Sequence, residues 1–150
     1  MKRLFIILQI AFLPFLISCK KDNPVLLPDA AQTITVDSAS RAIATCNKWV
    51  IASYIKEGID HTTDFQMTGL YFCPDDFTVA NDIMSQNGKW FFSRTGGYLQ
   101  LDLMFNSDTL LNPVWKELGD SWMVNNFEPG FMVLQSVDRT RRITLKKMER

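Results

Sequence analysis

Residues 98–105 read YLQLDLMF, and their alternation decides the fold class. Leu99, Leu101, Leu103 and Phe105 share one parity, while Tyr98, Gln100, Asp102 and Met104 share the other. Successive side chains of an extended chain point to opposite faces, so this segment is a strand with one face in a core. Immediately before it, Gly96-Gly97 connects to KWFFSR, and Asn87-Gly88 separates that run from FTVANDIMS, where Phe77, Val79 and Ile83 share a parity. Both dipeptides supply the positive φ angles of two-residue hairpin turns, so two consecutive hairpins are expected here.

The same grammar extends in both directions. Upstream, WVIASYIK (49–56) and FQMTGLYFC (65–73) are rich in β-branched and aromatic residues, with a polar turn region around Gly58 between them and Pro74-Asp75-Asp76 after them. Downstream, VWKEL, SWMVNNF, FMVLQSV and RRITLKKM are separated by Gly119-Asp120, Glu128-Pro129-Gly130 and Asp138-Arg139-Thr140. In the last of these Ile143 and Leu145 alternate with Arg142, Thr144 and Lys146. One helix is expected, over Ser38 to Thr45, with Asp37 as its cap. The rest predicts an all-β, antiparallel up-and-down meander of eight to nine strands, which removes its exposed edges by closing into a small barrel. With 150 residues, 47% hydrophobic and 21% charged, the chain suits one domain with a real core, assigned to 37–150.

The amino terminus is organised differently. Lys2 and Arg3 precede an apolar stretch, Leu4 to Ile17, broken only by Gln9 and Pro14, which is the layout of a secretory signal peptide over 1–18. A retained membrane span needs about 20 apolar residues, and this stretch is shorter and contains a proline. Leu16-Ile17-Ser18-Cys19 resembles the lipobox of bacterial lipoproteins, which implies that Cys19 is lipidated and becomes the first mature residue. Several acyl chains together hold firmly where one binds marginally. Residues 19–36 then read as a lipidated amino terminus and a flexible tether, with two prolines in KKDNPVLLPDAAQ. Lys20 and Lys21 are not the aspartate that favours inner-membrane retention in enteric-type lipoproteins. The implied location is therefore the cell envelope, on the outer membrane, facing periplasm or cell surface.

Asn47-Lys48-Trp49 opening the first long strand, the meander after it and the anchor ahead of it resemble the lipocalin-like domains of Gram-negative outer-membrane lipoproteins. Lipocalins proper show Gly-x-Trp at that opening, and here Asn47 holds the glycine position. Gly88-Lys89-Trp90 repeats the letters in the middle of the meander. The resemblance implies a lipocalin-like barrel and names no ligand. An eight-stranded barrel can be filled by side chains or hold one small ligand. Trp49, Trp90 and Trp122 are the residues expected to line such a cavity.

Charge is unevenly placed. Without Lys2 and Arg3 the 16 basic residues fall to 14 against 16 acidic, a net of minus two. Eleven acids and three bases lie between Glu57 and Glu128, whereas six bases and two acids lie between Asp138 and Arg150. Nucleic-acid binding is not supported, and a solvated face or a partner surface accounts for either segment. Because His61 is the only histidine, no histidine metal cluster can form. No catalytic set, metal site or cofactor is expected, and the chain is not expected to be an enzyme. Once Cys19 is assigned to lipid, Cys46 and Cys73 either pair as a disulfide or remain two small buried thiols. The functional expectations are a small hydrophobic ligand in the barrel or, with a filled barrel, an envelope protein partner met by loops or an acidic face.

Overall fold

The computed structural model describes residues 34–106 and 112–149; the expected signal peptide, Cys19 and most of the tether lie outside them. Along the chain come α1 (Val36–Ile43), β1 (Lys48–Lys56), β2 (Ile59–Asp60), a 3₁₀ turn (Thr62–Phe65), β3 (Gly69–Phe72) and β4 (Phe77–Ala80). They are followed by β5 (Ser85–Thr95), β6 (Tyr98–Phe105), α2 (Pro113–Lys116), β7 (Ser121–Glu128), β8 (Phe131–Ser136) and β9 (Arg141–Lys147). Strands β1 and β3 to β9 pair antiparallel in chain order, and β9 returns to β1 from Trp49↔Lys147 to Lys56↔Arg141. This is a closed, eight-stranded up-and-down barrel. The two-residue β2 pairs with Ile55 and Lys56, prolonging the column begun by β3, which pairs with Lys48 to Val50.

The leucines of YLQLDLMF point inward, with Leu99, Leu101 and Leu103 at 3% exposure or less. Two strands reach the same result with a break in their alternation. In β1, Trp49 and Ile51 are buried, the ladder slips between Ile51 and Ser53, and Tyr54 is the next buried residue. In β7 a slip between Val124 and Asn126 turns Phe127 inward after Trp122 and Val124. A bulge adds one residue on one strand and increases local bend and twist, which a small closed barrel requires.

Three local expectations are corrected. Asn87-Gly88 is no turn: it lies inside β5, pairing with Thr78 and Phe77 on one side, with Gly88 opposite Phe105 on the other. The hairpin turn is 81–84, where the Asn81 side chain accepts from the backbone N–H groups of Ile83 and Met84, so Ile83 projects into solvent instead of the core. VWKEL is not a strand; Asn112 caps a short helix with Pro113 in its first turn, and Trp115 and Leu118, three apart, both become buried. Finally, α1 is capped by the Thr35 side chain, which accepts from Ser38 N–H, and Asp37 sits in the first helical turn.

The helices mark the two ends of the barrel. Ala39 and Ile43 of α1 are fully buried at the end carrying the β3–β4, β5–β6 and β7–β8 turns, and Arg94 of β5 donates to the Ile34 carbonyl there. A disulfide joins Cys46, just after α1, to Cys73, just after β3, across 27 residues. Such a cross-link stabilises by roughly 3 to 4 kcal/mol on the chain-entropy account. At the opposite end Trp115 donates to Thr68 Oγ1 and Trp122 donates to the Leu118 carbonyl, so α2 and its following turn are fastened down as a plug.

A Cβ on Gly88 would overlap the Phe77 ring and the Met104 carbonyl, whereas one on Gly97, in the β5–β6 turn at φ 88°, would meet nothing. Urea unfolding is therefore expected to show Gly88→Ala losing roughly 2 to 3 kcal/mol. Gly97→Asn, an Asn in a left-handed turn position, should lose less than about 1 kcal/mol. Equal losses would contradict the placement of Gly88 within the sheet.

Candidate functional site

The barrel interior is occupied by its own side chains. Trp49, Trp90 and Trp122 are exposed by 1%, 8% and 0%. Trp49 meets Phe72 edge-on at 6.3 Å and Phe72 meets Trp90 at 5.8 Å; the series continues through Phe92 at 5.9 Å to Phe127 at 6.1 Å. Such edge-to-face pairs are favourable beyond the area they bury. Trp122 lies in the same core nearer the α2 end, with the Arg141 guanidinium 5.2 Å from its ring centre. The structure thus links Trp49 and Trp90 through Phe72 and buries Trp122 in the same core.

Hydrogen bonding separates the three tryptophans further. Trp90 Nε1 donates to the Cys73 and Asp76 carbonyls and Trp122 Nε1 to that of Leu118. Trp49 Nε1 is the one buried side-chain polar atom among the described residues with no partner. An unmet N–H of this kind costs about 1 to 3 kcal/mol, so an acceptor there would be favourable.

Open space lies at the barrel ends. Two adjoining clefts at the α2 end, of about 400 and 280 Å³, share Lys56, Pro113 and Glu117. Glu117 is their hub: its carboxylate accepts from Lys56 Nζ and from the Tyr54 hydroxyl, each at 2.8 Å, and its carbonyl accepts from Arg141 Nη1 at 3.1 Å. Arg141 is paired in turn with Asp120. The Lys56 hydrogen bond, aided by Tyr54, holds the Glu117 carboxyl below its usual range, while burial and then Glu117 push the Tyr54 phenol well above its own. At neutral pH the Glu117 carboxyl is therefore held ionised and the Tyr54 phenol protonated. The arrangement can receive a polar group by hydrogen bonding beside the Phe65 and Val114 side chains that line the smaller cleft. His61 also lines it and is engaged with Asp64 at 3.1 Å. Among the described residues no three His, Cys, Asp or Glu side chains gather into a metal-binding group. A third cleft, of about 720 Å³, lies at the α1 end beside Ala42, Phe131, Lys147 and Met148.

Glu117 and Arg141 are absent from the sequence-derived candidates. Tyr54 and Glu117 are 63 residues apart, and only barrel closure together with the α2 plug joins them. The one local clue was a glutamate within a segment whose apolar residues recur every three positions.

No family model matches the chain, and comparison with curated proteins returns no match. Among solved structures, a lipocalin-like protein from Bacteroides uniformis superposes with a TM-score of 0.46 at 11% identity, covering 71% of this chain and 99% of that one.

Asp138 in the β8–β9 turn accepts from Ser136 Oγ and from the N–H and hydroxyl of Thr140, and these bonds lower its pKa to about 2. Its folded pKa lies below the unfolded carboxylate value of about 3.9, so its contribution is complete above that pH and vanishes as pH falls through about 2. Thermal melts are expected to lose stability over that window in the wild type, and the part owed to this turn should be missing in Asp138→Asn. An identical acid limb in both proteins would remove Asp138 from the account.

Proposed function

We propose that this chain is a non-enzymatic lipoprotein of the cell envelope, held to the outer membrane through Cys19, whose barrel is a packed scaffold presenting its α2-end loops for recognition of an envelope protein partner. The observation that carries the reading is the filled interior: Trp49, Phe72, Phe77, Leu101, Trp122 and Leu134 are all at 1% exposure or less, and both ends are plugged. A ligand of ordinary size needs several hundred cubic ångströms of largely apolar space. The first described residues lie at the α1 end, so a membrane tether leaving from there turns the α2 end outward. Residues 19–33 fully extended reach at most about 50 Å, enough to hold a small barrel clear of a bilayer.

A second reading has its own observation. The unpartnered Trp49 Nε1 favours an acceptor inside the α1 half of the barrel, which a small, largely apolar ligand with one carbonyl or hydroxyl would supply. Tryptophan fluorescence separates the readings. A packed scaffold should show a blue-shifted emission indifferent to fatty acids and retinoid-like probes; a saturable shift that disappears in Trp49→Phe would replace the recognition reading with ligand carriage.

The anchor has an independent test. Cys19→Ala is expected to abolish labelling by radioactive palmitate and to leave the precursor uncleaved or soluble. Unchanged retention in carbonate-washed membranes would overturn it.

A further inference from the structure

We infer that the α2-end loops between β1 and β5 form a docking surface for a cationic, amphipathic segment of a partner protein; this rests on the recognition reading above and gives the partner its chemistry. Four large apolar side chains project from these loops: Ile59, Met67, Ile83 and Met84, exposed by 62%, 69%, 89% and 43%. Ile83 and Met84 sit together in the β4–β5 turn, which the Gly69↔Ala80 pair sets beside the start of β3, two residues after Met67, and Ile59 lies on β2 at the same end of the barrel. Apolar groups gathered at one end of a barrel whose core is already full contribute nothing to packing, and such a patch marks an interaction surface.

Charge selects the occupant. From Glu57 to Gly88 the chain contains no lysine or arginine, and the exposed Glu57, Asp60, Asp64 and Asp82 lie in the same loops as the apolar side chains. An anionic lipid surface would be repelled, whereas lysines or arginines flanking apolar residues on a partner would meet both features at once. The loops are also pre-ordered. Asp60 accepts from the N–H and hydroxyl of Thr62, and Asn81 accepts from Ile83 and Met84, so little flexibility remains to be lost on docking.

The test uses a synthetic Lys/Leu amphipathic peptide, its Glu/Leu counterpart and phosphatidylcholine vesicles, with binding to the delipidated protein read by fluorescence anisotropy. The Lys/Leu peptide should bind in a salt-sensitive manner. Ile83→Ser with Met84→Ser, and separately Glu57→Gln with Asp82→Asn, should each weaken it about tenfold, a scale ordinary for patches that combine contact and charge. Asp75→Asn with Asp76→Asn, the same charge change at the opposite end, should leave it unaltered. Equal weakening by that control, equal binding of the Glu/Leu peptide, preference for vesicles, or self-association through Ile83 would overturn the inference. A photo-crosslinker at position 83 in the full chain in its own envelope separates this from the broader reading. A captured protein segment without lysine or arginine sinks the cationic assignment and keeps protein recognition; no protein adduct at all sinks both.

Discussion

Closure between β1 and β9 is the constraint on which the other features depend. Without it β1 and β9 would be exposed edges of a nine-stranded sheet; with it every strand of the ring has two neighbours. A closed ring of eight strands encloses little space, and here that space is taken by aromatic side chains in edge contact, from Trp49 to Phe127. Filling the ring leaves two openings to seal. Helix α1 seals one with Ala39 and Ile43, and the turn carrying Trp115 and Leu118 seals the other.

Alternation and turn chemistry made the barrel legible before any coordinates. RRITLKKM obeys period two without interruption and YLQLDLMF departs from it only at the buried Asp102, and the Gly96-Gly97, Pro129-Gly130 and Asp138-Arg139 turns lie where composition put them. What alternation could not reveal was the position of the bulges. In WVIASYIK the parity of Trp49 and Ile51 predicts Ser53 inside, yet the bulge hands that place to Tyr54, and the apolar character of tyrosine against serine was the available hint. Asn87-Gly88 misled for a different reason. Its glycine is needed because the Phe77 ring and the Met104 carbonyl crowd the space a side chain would use, and close approach leaves the same letter as a turn.

The candidate site was much less legible than the fold. Strand pattern is a local property, recorded residue by residue, whereas the Tyr54–Glu117–Lys56 set exists only because barrel closure and a plug bring distant segments together. The three tryptophans chosen for their inward parity are inward, and the volume left around them could not be read from parity. Cys46 and Cys73 illustrate the same limit: a spacing of 27 residues permits a bridge, and only the fold, which holds their Cα atoms 4.5 Å apart, makes one.

The two ends of the barrel divide labour in a way that follows from these constraints. Near the α1 end three restraints converge, namely the disulfide, the Trp90 hydrogen bonds to the carbonyls of Cys73 and Asp76, and the Arg94 bond to Ile34. Tension applied at the amino terminus would pass through α1 before reaching Cys46, and the cross-link there carries it directly into the sheet at Cys73. Among the described residues the α2 end has no covalent restraint. Its plug rests on Trp115, Leu118 and the Glu117 hydrogen bonds, and the half-exposed Lys56–Glu117 pair adds only about 0 to 1 kcal/mol. Loops that need not resist tension are free to carry side chains the core does not require, which is why Ile59, Met67 and Ile83 can stand in solvent at this end without weakening the barrel beneath them.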